Sequence, residues 1–113
     1  MKPFPLDKVY QLIEPGPVVL LTTAFDGEPN VMTMSWHMMM EFVPPRIGCV
    51  VSSADHSFTA LTRTGECVIA IPSADMAEKV VAIGNCSGRD TDKFAEIGLT
   101  ALPAEEVSAP LIG

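Results

Sequence analysis

Between Asn30 and Phe42 the chain alternates with a period of two: Met32, Met34, Trp36, Met38 and Met40 fall on one parity, and Thr33, Ser35 and His37 on the other. That period is the geometry of a β-strand, in which successive side chains leave opposite faces of the backbone. The polar parity holds no Lys or Glu. A face open to water normally does, so this one is expected to pack against a second layer or a ligand. An ordinary pair of strand faces accounts for the alternation equally well. Upstream, Pro17 to Phe25 is apolar and β-branched, with Thr22 and Thr23 near its end, and it runs into Asp26-Gly27. Asp-Gly favours a tight hairpin turn because both positions tolerate positive φ. Two antiparallel strands joined at residues 26–27 are therefore predicted.

The remaining elements follow from spacing and punctuation. Leu6, Val9, Tyr10 and Ile13 predict a short amphipathic helix ended by Pro15-Gly16. Val43-Pro44-Pro45 interrupts the ladder, since proline has no N–H to donate, and makes a corner before a third strand over Ile47 to Ser52. Asp55 is placed to cap a helix over His56 to Arg63 that turns Phe58, Leu61 and Thr62 inward and stops before Gly65. Cys67 to Ile71 reads as a fourth strand, and Ser73 opens a helix with Met76, Ala77, Val80 and Val81 on its inner face, ending at Gly84-Asn85. Ser87-x-x-Asp90 has the spacing of a capping box ahead of a last helix over Thr91 to Ile97, closed by Gly98. Beyond it the chain is rich in Pro and Ala. Four strands are few for a closed barrel, and an open sheet of four would leave bare edges, so completion in cis or in trans is expected.

At 113 residues the chain fits one domain. Charged residues make up 19%, below the usual value of about a quarter. The surface is short of charge, so a large apolar area should meet something other than water, and a partner subunit is the simplest candidate. A net charge of −7, from fourteen acids and seven scattered bases, argues against nucleic acid, while a few local donors could still hold one phosphate. Residues Met1 to Glu14 include Pro3, Pro5 and Asp7 and no continuous apolar core of the kind a secretory signal needs. The uncharged stretches Pro15 to Phe25 and Pro29 to Met40 are too short to span a bilayer. A cytoplasmic protein with no membrane partner is expected. Cys49, Cys67 and Cys86 are odd in number and lack a Cys-x-x-Cys pair, which reads as reduced, buried thiols.

Three segments could build a site for a phosphate-bearing cofactor. Hydroxyls of Ser52, Ser53, Ser57 and Thr59 surround the start of the helix predicted after Asp55, where free backbone N–H groups attract anions. Plain capping is the competing account, and Asp55 would oppose a phosphate. Ser87, Gly88, Arg89 and Lys93 bring a hydroxyl, a flexible turn and two of the scarce cations into one short run. A solvated loop with its cations neutralised by Asp90 and Asp92 is the alternative there. Thr33, Ser35 and His37 suit the edge of a flat heterocycle beside Trp36, or His37 is simply a packed core residue. No nucleophile–base pair, HExxH, GxSxG or GxGxxG motif is present, and no metal-ligand spacing.

Taken in order, the hairpin turn followed by N-V-M-T-M-S-W, the Pro-Pro corner, H-S-F before a helix, G-E-C-V-I-A-I-P and S-G-R-D-x-D-K-F resemble the flavin reductase-like family of FMN-binding split barrels, near its flavoredoxin branch. The resemblance runs from about Ile13 to Ile112. It implies a mainly β fold with short helices, a Greek-key-like split barrel, homodimeric, holding FMN noncovalently near the subunit interface. By the same resemblance Thr33, Met34, Ser35 and Trp36 line the isoalloxazine, Ser52, Ser53, Ser57 and Thr59 face the ribityl-phosphate, and Ser87, Arg89 and Lys93 close the phosphate side. NAD(P)H or a protein donor would supply electrons. No acid–base residue is needed for the central step, because the flavin itself accepts hydride. Relatives continue past Ser108 to Ile112 with further strands, so residues 1–113 correspond to the N-terminal portion of the usual domain and the barrel is expected to be incomplete. A shortened module that dimerises or binds a ligand without turnover is the rival reading.

Overall fold

The computed structural model describes residues 3–13 and 16–113. The N-terminal pattern becomes a 3-10 turn, Leu6–Lys8, and one α-turn, α1, Tyr10–Ile13. The stop expected at Pro15 lies outside the described residues. Strands β1 (Val19–Phe25) and β2 (Glu28–Met34) then form the antiparallel hairpin, with Phe25 opposite Glu28 and Val19 opposite Met34. Asp26 and Gly27 take φ of 54° and 81°, the left-handed pair that a two-residue turn of this hand requires.

The alternating stretch is two strands, not one. β2 ends at Met34, and β3 (His37–Phe42) pairs with β4 (Pro45–Cys49) in a separate two-stranded sheet. The break falls at Ser35-Trp36, where His37 N donates to Ser35 O at 3.0 Å in a three-residue turn. Period two continues across the break, so the pattern could not reveal it. The Pro-Pro corner is the β3–β4 turn, with a cis Val43–Pro44 bond, and β4 starts at Pro45 instead of Ile47.

Helix α2 (His56–Thr64) ends at Gly65 in the left-handed conformation. It buries Ser57 and Ala60, while Thr62, expected inward, is exposed and bonds the carbonyls of Phe58 and Thr59. Strand β5 (Val68–Ala70) pairs with β1, giving the order β2-β1-β5. A 3-10 turn, Ala74–Met76, leads into α3 (Ala77–Gly84), whose inner face is Met76, Val80 and Ile83; Ala77 and Val81 point outward. Helix α4 (Lys93–Ile97) is capped by Asp92, whose Oδ1 accepts from Ala95 N at 3.1 Å, in place of the expected Ser87 motif. The Pro/Ala-rich segment contributes two short strands that the sequence reading lacked, β6 (Ala101–Leu102) and β7 (Leu111–Ile112).

The central sheet is buried on both faces. Leu20 and Val31 pack with Ile83, Phe94 and Leu99 on the face covered by α3 and α4, and Val19, Leu21 and Met34 pack with Leu61 and Cys67 on the face covered by α2. The β3–β4 hairpin, by contrast, is exposed: Phe42 is 79% exposed, and Met38, Met40, Ile47 and Val50 are also uncovered. No helix among the described residues is long and apolar enough to cross a membrane.

Candidate functional site

Strand β2 is an edge strand, so its outer main chain has no strand neighbour among the described residues. Two cavities of about 310 Å³ each lie along it and share Met32, Thr33 and Asp55 as walls. Together they form a trough, and each falls within the range of about 300–1,000 Å³ typical of small-molecule sites. One end is bounded by Met34, Ser35, Trp36, Val50 and Ser52. The other lies between the loop before α2 and the carboxyl end of α3, against Asn30, His56, Ser57, Ser87, Arg89 and Lys93.

Local chemistry fixes these side chains. Thr33 Oγ1 donates to Val80 O at 2.8 Å, so the charge-free polar parity of β2 does meet a second layer. Met34 is 4% exposed and its side chain belongs to the core with Val19 and Leu21. Trp36, half exposed, stands at the end of the trough. His37 leaves it: its Nε2 pairs with Pro17 O at 2.8 Å. Asp55 does not cap α2 through its side chain; its Oδ2 accepts from Ser52 N at 2.9 Å. The amino end of α2 therefore has no side-chain cap and carries the positive end of the helix dipole.

The candidate cations are held by main-chain carbonyls and not by Asp90 or Asp92. Arg89 Nη2 donates to Ala54 O at 2.6 Å, strapping the α3–α4 loop to the loop before α2. Lys93 is only 6% exposed, and its Nζ donates to Ile83 O at 2.9 Å, where the carboxyl end of α3 favours a cation. Burial pushes the Lys93 ammonium below the ordinary lysine range. Gly88 is required where it stands: a Cβ there would overlap Asn30 Oδ1 and come within 2.7 Å of His56 Cδ2.

Of the residues singled out from sequence, the fold thus gathers Thr33, Met34, Ser35, Trp36, Ser52, Ser57, Ser87, Arg89 and Lys93 along one trough. Ser57 Oγ, buried, accepts from Asn30 Nδ2 at 2.9 Å. Ser53 is exposed and borders neither cavity, and Thr59 lines a third cavity on the far side of Asn30 and Arg89. Sequence reasoning missed Asn30 and His56. Asn30 is a residue poorly suited to strands, following a proline inside one, and that mismatch was its available signal.

A mainly β chain whose small sheets do not close on one another, with a trough along one free edge, is a split-barrel protein with an incomplete barrel. The chain belongs to the flavin reductase like domain family, whose sequence profile matches residues 13–113. The uncharacterized protein YddH of Escherichia coli K12 is 33% identical over 97% of this chain and 59% of its own. Flavoredoxin of Desulfovibrio vulgaris (Miyazaki F) superposes with a TM-score of 0.83 at 35% identity, over 88% of this chain and 55% of its own. The FMN-binding domain of a flavin reductases-like enzyme from Shewanella baltica OS155 gives a TM-score of 0.81 at 24% identity, over 96% and 58% respectively, and shows a shared fold. The chain spans between half and two thirds of the length of these relatives.

Proposed function

We propose that the protein is a flavin-dependent oxidoreductase unit that holds FMN noncovalently in the trough along β2, passes electrons from NAD(P)H or a protein donor to an acceptor, and works as a homodimer in the cytoplasm. The observation that carries this reading is the convergence of Thr33, Trp36, Arg89 and Lys93 with the uncapped start of α2 on one elongated trough. Such a trough suits a ligand with a flat, hydrogen-bonding ring at one end and an anion at the other. The likeness to flavoredoxin supports flavin as that ligand.

The donor set fits. Thr33 and the free edge of β2 can meet the polar rim of a heterocycle, and Trp36 can cover its face. Lys93, with one N–H engaged by Ile83 O and two to spare, presents a desolvated cation to the other end of the trough. Ser52, Ser53, Ser57, Thr59, Ser87 and Arg89 remain the candidates for the ribityl-phosphate. Ser57 and Ser87, with Arg89, border the trough near the start of α2, whereas Ser53 and Thr59 would need the loop before α2 to shift. When bound, FMN supplies the redox chemistry, and the protein binds it, orients it and sets its electrostatic surroundings. The exposed Met38, Met40, Phe42 and Ile47 of the β3–β4 hairpin form the apolar area that a second subunit would cover. We assign residues 1–113 to one domain.

The test is reconstitution with FMN followed by anaerobic addition of NADH, NADPH or dithionite. Stoichiometric flavin bleached by a nicotinamide supports the enzyme, and bleaching by dithionite alone supports an electron carrier. Failure to retain flavin at all removes the proposal in favour of a noncatalytic binding module.

A further inference from the structure

Arg89 is one of seven bases set against fourteen acids, yet among the described residues its guanidinium pairs with no carboxylate. Its side-chain partner is the neutral carbonyl of Ala54, at 2.6 Å, and both residues are exposed walls of the α2 end of the trough. The bond therefore crosses the rim of that cavity in contact with water, where a hydrogen bond to a neutral acceptor holds weakly. The two ends of this strap differ in freedom. On the Arg89 side the chain is fixed: Asp90 N donates to Ser87 O at 3.1 Å, Arg89 N donates to Ser87 Oγ at 3.3 Å, and Gly88 packs against Asn30 and His56. On the Ala54 side, residues 52–55 are bonded to one another: Asp55 N donates to Ser52 O at 2.9 Å, Ser52 N to Asp55 Oδ2 at 2.9 Å, and Ala54 N to Ser52 Oγ at 3.1 Å. Among the described residues, Arg89 supplies this loop's one hydrogen bond to a segment distant in sequence. The loop can thus move as a unit when the strap opens, keeping its own hydrogen bonds.

We infer that Arg89 is a specificity-determining latch: it closes the α2 end of the trough on Ala54 O and gives up that carbonyl for a phosphate monoester, so a phosphorylated flavin opens its own site and an unphosphorylated one does not. The inference rests on the trough being the flavin site. A guanidinium gains by exchanging a neutral oxygen for a dianionic group, because charge-assisted hydrogen bonds are roughly twice as strong as neutral ones and can be bidentate. A free hydroxymethyl group has no such advantage and meets the closed strap. Movement of the loop is also what Ser53, which borders neither cavity of the trough, needs in order to reach the phosphate.

Arg89→Met keeps the apolar stem and removes every donor. Binding of FMN and of riboflavin to the parent and to this variant is followed by stopped-flow flavin fluorescence at fixed ionic strength. FMN affinity should fall about tenfold or more in Arg89→Met, the scale of losing a charge-assisted contact, while riboflavin should associate several-fold faster than with the parent because the strap is gone. A phosphate contact without a latch weakens FMN and leaves riboflavin unchanged, and a merely structural role weakens both; either result overturns the inference. Trp36, the chain's one tryptophan, borders the same cavity as Ser52 and Asp55, so its fluorescence reports on the loop without any flavin. Ribose 5-phosphate should change it saturably in the parent and not in Arg89→Met, with ribose inert in both. No response in the parent, or an equal response in the variant, overturns the latch. If neither flavin binds, the proposed function fails and the tryptophan measurement decides the latch by itself.

Discussion

Thr22 and Thr23 are adjacent, both fully buried in β1, and yet the same substitution should move stability in opposite directions. Valine keeps the shape and the strand preference of threonine, so Thr→Val isolates the hydroxyl. At position 22 the change deletes the 2.6 Å bond to Pro110 O and leaves a buried carbonyl unpaired, at a cost of about 1–3 kcal/mol. At position 23 it deletes an Oγ1 that has no partner, so the desolvation penalty, again about 1–3 kcal/mol, is relieved and the protein is stabilised, by about 1 kcal/mol after allowance for relaxation. For a chain of this size 1 kcal/mol corresponds to roughly 4 °C in Tm. Thermal and urea unfolding of both variants should therefore place Thr23→Val about 4 °C above the parent and Thr22→Val at least as far below it. A Thr23→Val protein that is destabilised, or two variants that shift together, would refute the reasoning.

Other consequences follow from the same geometry. Lys93→Met should lower FMN affinity and remove a pH dependence. Because burial depresses the native lysine below its ordinary 10.5, the folded protein loses that proton first, and stability of the parent rises with pH through the interval below 10.5; the variant's unfolding curves should lack this slope. Glu66 accepts from Ser108 N at 2.9 Å and Ser108 Oγ at 2.7 Å, which hold its carboxyl below the usual 4.5. This tether is present above pH 4.5 and lost as pH falls through the lowered native value, so the protection of the Ser108 amide, its exchange relative to an unfolded chain at the same pH, should fall in acid, and already at neutral pH in Glu66→Ala. Gly88→Ala should displace Asn30 from Ser57, cost about 1–3 kcal/mol by overpacking, and reduce retained flavin, measured as bound FMN per chain. If the proposed dimer forms through the β3–β4 hairpin, Met38→Glu with Phe42→Glu should abolish it in sedimentation while leaving the far-ultraviolet circular dichroism unchanged.

What the amino-acid order determined by itself was local. Asp26-Gly27 dictated the hairpin through two left-handed φ angles, Gly65 and Gly98 ended their helices for the same conformational reason, and period two marked the strands. The residues singled out from sequence include nine of those that line the trough. Tertiary structure decided what local rules do not encode. It divided the alternating stretch at Ser35-Trp36, because which sheet a strand joins depends on distant partners, while its period is unchanged. It turned Lys93 inward onto the end of α3 and tied Arg89 to Ala54, although both sit beside aspartates in sequence. It also brought the turn at Asp26 and the loop at Asp90 around one cavity and left the buried Thr23 hydroxyl without a partner among the described residues, since contacts between segments far apart in sequence exist only once the sheet has formed.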